Sequence, residues 1–79
     1  MDIEIDNQTI LNRMYQIALY NKGNNESADL CLQDALNTYS RGEHSDEVVA
    51  NRILDSLKHS CGIFSNDYQK ALDLKEQLV

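Results

Sequence analysis

Apolar positions along this chain recur at three- and four-residue spacing, in four bursts separated by polar gaps. That is the period of a helix with one buried face, and no stretch alternates as a half-buried strand would. The first burst, Ile10, Leu11, Met14, Ile17 and Ala18, predicts a helix over about residues 7–20. The second, Ala28, Cys31, Leu32, Ala35, Leu36 and Tyr39, predicts one over about 26–40. Val49, Ala50, Ile53, Leu54 and Leu57 mark a third over about 46–60, with Cys61 at its end. Tyr68, Ala71, Leu72, Lys75 and Leu78 share a face of a fourth, over about 66–78. Each stripe is expected to turn toward a common core.

The polar punctuation agrees with this partition. The chain has no proline and three glycines, Gly23, Gly42 and Gly62, each just past an expected helix end, where the backbone commonly turns through positive φ. Asn24 and Asn25 supply a turn and a cap for the second helix. Ser45 and Ser65 stand where N-caps of the third and fourth belong, their hydroxyls able to accept an orphan backbone N–H. Acids gather at the helix starts: Asp2, Glu4 and Asp6, then Glu26 and Asp29, then Asp46 and Glu47, then Asp67. Lys22, Arg41, Lys58 and Lys75 lie near the four ends. This arrangement suits the helix dipole by about 0.3–1 kcal/mol per charge. The short gaps make consecutive helices antiparallel neighbours. The expectation is an all-α fold, a compact antiparallel bundle of three to four short helices, in one domain spanning 1–79.

Composition narrows the function classes. Net charge is −6, from 13 acidic and 7 basic residues, with no run of Lys or Arg. Such a surface repels phosphate backbones, so direct nucleic-acid binding is not expected. No apolar run approaches the roughly 20 residues of a membrane span, and the acidic start MDIEID is unlike a secretory signal. A cytoplasmic location is therefore expected, and Cys31 and Cys61 read as small buried apolar groups rather than a disulfide. A chain of 79 residues makes only a marginal core, so self-association into a homodimer is a natural way to bury more apolar surface.

The stretch "KHSCGIFSND", Lys58 to Asp67, concentrates the side chains that ligate metals and act as nucleophiles. His59-x-Cys61 offers one imperfect pair, with Cys31 and His44 remote, whereas structural zinc sites join two close pairs. A Cys–His nucleophile would need an orienting third group, and none is implied. The stretch reads as a hinge: His59 helps satisfy the last carbonyls of the third helix, Gly62 turns the chain, and Ile63 and Phe64 fold back over the helix end. The expectation is no enzyme, no metal and no cofactor. The "DSL" at Asp55–Leu57 matches the prosthetic-group motif of acyl carrier proteins, but Ser56 falls in mid-helix and is expected to face solvent.

Apolar residues outside the stripes, Tyr15, Leu19, Tyr20, Leu30 and Leu74, are raw material for an interface. Tyr15, Leu19, Leu30 and Leu74 are the candidate anchors for a protein partner, with Glu43, Asp46 and Glu47 steering it.

With the helices placed, "ESADL", "RG", "LKHSCG" and "YQKAL", together with "LNRMY" near the start, resemble the YmgB/AriR and YcgZ family over the later two-thirds of the chain. Those are small helical enterobacterial proteins linked to biofilm and acid-stress control. The resemblance implies a dimeric helical regulator acting through partner proteins such as two-component regulators. DNA binding has also been proposed for the family, which the acidity of this chain argues against. "NNES" and "FSNDYQKAL" are similar to parts of the immunity proteins against pediocin-like bacteriocins, also antiparallel four-helix bundles. Their C-terminal recognition tail has no counterpart after the fourth expected helix, which ranks that reading second. A phage-encoded acidic inhibitor of a host nucleic-acid-binding complex is a third. The expected function is a small acidic non-enzymatic regulator that binds a partner protein and modulates its activity.

Overall fold

A computed structural model describes residues 5–79. It has four helices: α1 (Asn7–Lys22), α2 (Glu26–Arg41), α3 (Asp46–Ser60) and α4 (Asn66–Glu76). No strand occurs among the described residues. The helices form the expected all-α bundle. Asp2 and Glu4, two of the acids expected before α1, lie outside the described residues.

Local chemistry starts and stops each helix. Asp6, Asn25, Ser45 and Ser65 are the N-caps, each accepting from the backbone N–H three residues on, which satisfies a donor the helix itself cannot. Gly23, Gly42 and Gly62 follow the first three helices at φ of 49°, 67° and 84°. At Gly42 the backbone is left-handed and its N–H donates to the Tyr39 carbonyl. A side chain there would meet no neighbour, so glycine is favoured by conformation alone. The helix α1 continues to Lys22, one full turn beyond its last stripe residue. By contrast α4 stops at Glu76: the N–H groups of Gln77 and Leu78 bond three residues back, a tightened end after which the chain leaves the axis.

Polar ties between chain-distant helix ends fix how the helices run. Asn7 at the start of α1 donates from Nδ2 to Asp46 Oδ2 at the start of α3, 2.8 Å, and its Oδ1 accepts from Val79 N–H beyond the end of α4, 3.1 Å. At the opposite pole, Asn21 Nδ2 donates to Asp67 Oδ2, 2.9 Å, joining the end of α1 to the start of α4. Asn25 Nδ2 donates to the His59 carbonyl, 2.9 Å, joining the start of α2 to the end of α3. Consecutive helices are therefore antiparallel, with α1 and α3 running the same way.

The core joins all four helices, from Ile10, Leu11 and Met14 through Leu32, Val49, Ile53 and Leu57 to Tyr68 and Ala71. The central pair is α1 and α3. Each touches the other three helices, while α2 and α4 make no contact with each other. The closest partnership is α2 with α3, and its residues are small: Ala28 and Ala35 on α2 are buried, as are Ala50 and Ser56 on α3. Small contact residues let helix axes approach. Ser56 confirms the approach, because its hydroxyl donates to the Ala28 carbonyl across the interface at 2.7 Å.

Four expectations are corrected here. Ser56 does not face solvent; it is fully buried, because α3 packs against helices on several sides and its apolar face is correspondingly wide. Ile63 and Phe64 do not fold back. Phe64 is 92% exposed, the helix end having been closed instead by the N–H groups of Cys61 and Gly62, both donating to the Leu57 carbonyl. Among the described residues the ring of His59 caps no carbonyl; its own carbonyl accepts from Asn25. Cys31 and Cys61 are free thiols and only half-buried.

Candidate functional site

The second helix carries an apolar stripe wider than one neighbour can cover. With Ala28 and Ala35 against α3, Leu32 stays in the core while two other large members of that stripe, Leu36 and Tyr39, turn off it. They are 49% and 42% exposed, although their spacing assigns them to the buried face. Beside the 23–25 connector α1 and α2 are tied together by the Lys22–Asp29 ion pair, 3.1 Å. Toward the other pole they stand apart, and an open groove of about 390 Å³ lies between them.

Three helices build this groove. Leu11 and Tyr15 of α1 form one wall, Ala35, Leu36 and Tyr39 of α2 the other, and Val49 and Ile53 of α3 the floor. Gln8, Thr9, Asn12 and Gln16 make the rim along α1. None of the described lining residues is charged, in a chain where one residue in four is. This is the composition of an interface centre, depleted of charge and bearing tyrosine. The geometry, a trough with an apolar floor between two helical ridges, is the kind that receives an amphipathic helix.

The candidate anchors are dispersed. Tyr15 lines the groove, and Leu19 stands one helical turn further along the same side of α1, exposed. Leu30 is 65% exposed on α2, away from the groove floor. Leu74 packs partly against the core and borders a different depression, between α1 and α4, whose rim includes Arg13, Lys70 and Asp73. Asp46 and Glu47 line a third depression beside His44 and Lys75. Glu43 is exposed in the connector before them. Leu36 and Tyr39, the exposed apolar residues of the groove, are absent from the interface expected from sequence, as is every other groove residue except Tyr15. The signal for the first two was present in the breadth of the α2 stripe.

The remaining chemical residues do not assemble. Among the described residues no three of His, Cys, Asp or Glu converge as metal ligands. Burial pushes the Cys31 thiol up from its ordinary value, helped by the nearby carboxylates of Asp55 and Asp34; such a thiol is a poor nucleophile. Cys61 contacts the Leu57 carbonyl of α3 and the hydroxyl of Ser65, the cap of α4, each four residues away in the chain. The Lys22 ammonium holds the Asp29 carboxyl below its usual value, an ion pair spent on joining two helices. No helix among the described residues is long and apolar enough to cross a membrane.

No protein-family model matches this chain, and neither the curated proteins nor the solved structures include one detectably similar to it.

Proposed function

We propose that this chain is a non-catalytic regulator that binds a partner protein in the cytoplasm and changes its activity by seating an apolar helix of that partner in the α1–α2 groove. The observation that carries the reading is the groove itself: open, apolar-floored and free of charged lining among the described residues. Glu43, Asp46 and Glu47 lie at the pole toward which the groove opens and would steer a partner's approach without entering its bound interface. The resemblance to the biofilm and acid-stress regulators supplies a physiological setting, with a two-component regulator as one kind of partner. An acidic inhibitor of a nucleic-acid-binding complex would present its carboxylates on the docking face, and this groove has none among its described lining residues.

The test is a capture experiment from the native host, followed by affinity measurement with the purified partner. Leu36→Glu with Tyr39→Glu is expected to weaken binding by about tenfold or more, at unchanged helicity. Phe64→Ser, at the far pole, should leave it unaltered. Raised salt should slow association, through the steering carboxylates, and change dissociation little, since no charge lies in the contact. Equal affinity of the partner for the doubly substituted and unaltered chains would end this reading.

A further inference from the structure

Three amide side chains line one wall of the groove: Gln8, Asn12 and Gln16 of α1, spaced four residues apart. That spacing stacks them in a single row, with about 6 Å between neighbours along the helix. All three are exposed. Five other amides serve the fold. Asn7, Asn21 and Asn25 tie helix ends together, Gln33 bonds Asp29, and Gln69 holds the Ile63 carbonyl. By contrast Gln8, Asn12 and Gln16 enter no side-chain hydrogen bond among the described residues, although Asn7 and Asn21 at the two ends of the same helix do. The remaining unbonded amides, Asn24, Asn37, Asn51, Asn66 and Gln77, do not line the groove. The row along α1 is the one place where unspent donors and acceptors repeat.

We infer that the helix seated in the groove carries a matching row of glutamine or asparagine, at four-residue spacing, on the edge of its apolar stripe that meets α1. The inference rests on the proposed helix-binding reading of the groove and names which helices qualify. Helices lying side by side present their four-residue rows at the same repeat, so each amide of α1 faces one position on the occupant. An amide both donates and accepts, and two amides facing each other satisfy both functions at once. A carboxylate only accepts and an ammonium only donates. An apolar edge would strip water from three amides and return no hydrogen bond. Charge does not select the occupant at this wall. Arg13 borders the α1–α4 depression, Asp34 pairs with Arg52 at 2.7 Å, and Glu26 and Arg41 stand in the first and last turns of α2. None of these four lines the groove. An uncharged wall is thus complementary to an uncharged edge.

Fluorescence anisotropy with the full chain and synthetic helical peptides tests it. The peptides match α1 in length, are stapled on the face away from their leucine stripe, and differ only along the two edges of that stripe. Those edges are glutamine, alanine, lysine or glutamate. Raised salt screens long-range attraction to the acidic pole. The glutamine-edged peptide is expected to bind tightest, about tenfold above the alanine-edged one. Combining Gln8→Ala, Asn12→Ala and Gln16→Ala is expected to remove that difference, with helicity kept because alanine favours an exposed helix. Leu36→Glu is expected to weaken every peptide, as seating in the groove requires. Alanine-, lysine- or glutamate-edged peptides binding as tightly as the glutamine-edged one, or a glutamine preference that persists in the triple variant, overturns the inference. If the alanine-edged peptide binds equally and Leu36→Glu still weakens it, the helix-binding groove stands and only the amide row falls. If no peptide binds, both fall.

Discussion

At the scale of single residues, Ser56 shows how a polar group belongs in the middle of this core. Its hydroxyl is fully buried and has one inter-helix acceptor, the Ala28 carbonyl at 2.7 Å. Ala28 sits in the first turn of α2 and is itself buried, so no solvent replaces a lost donor. The Ala28 carbonyl keeps its place in the α2 ladder, so what is lost is one buried hydrogen bond, worth roughly 0.5–1.5 kcal/mol. Ser56→Ala is expected to lower the unfolding free energy by that amount in urea titration, while Ser27→Ala, exposed on the same helix turn as Ala28, should change it little. Equal values for the two variants would mean that the hydroxyl contributes nothing. Periodicity placed "DSL" inside the third helix, where α3 holds it. It could not reveal that the serine points inward, because a small polar residue fits either face.

At the scale of the helices, the one titratable cap, Asp6, and the Lys22–Asp29 ion pair link stability to pH. Asp6 accepts from Thr9 N–H at 2.8 Å, and hydrogen bonding to Thr9 holds its carboxyl below the ordinary value. The native state therefore keeps this group ionised where the unfolded chain would protonate it. Stability from this cap is fully present above the unfolded carboxylate pKa, near 3.8, and is lost as the pH falls through the lower folded value. The Lys22-paired Asp29 acts in the same direction. Asn caps helices about as well as Asp. Asp6→Asn is thus expected to match the unaltered chain at neutral pH but to lose less of its thermal midpoint from about pH 4 downward. Identical acid profiles would show that the cap is not a native-state proton switch. Cap residues, glycine stops and end charges are all short-range features, which is why the helix boundaries were legible to within two residues. The miss at α4 has the same origin: Leu78 keeps the apolar period after the backbone has tightened and left the helix.

For the whole molecule, the arrangement is centred on α3, which packs against each of the other three helices. Leu57 is fully buried within the cluster that joins all four. Leu57→Ala is expected to cost roughly 2–5 kcal/mol, a large part of the roughly 4–12 kcal/mol available to a domain of this size. Circular dichroism and tyrosine fluorescence should report one shared unfolding transition, displaced to lower urea. A displacement under about 1 kcal/mol, or two separated transitions, would mean that the four helices are not one cooperative unit.

Helix number, helix type, caps and direction follow from contacts made within a few residues, so periodicity, three glycines and the end charges were enough to read them. The groove follows from something no local pattern encodes: which side of α2 its small residues press onto α3. That choice buries Ala28 and Ala35, turns Leu36 and Tyr39 outward, and sets the edge of the buried core, at Val49 and Ile53, beneath the groove. Tyr15 and Leu19 stood out in sequence because they break the α1 stripe, but Leu36 and Tyr39 were hidden by continuing the α2 stripe. A stripe records which residues are apolar, and only the packing of four helices decides which of them find a neighbour.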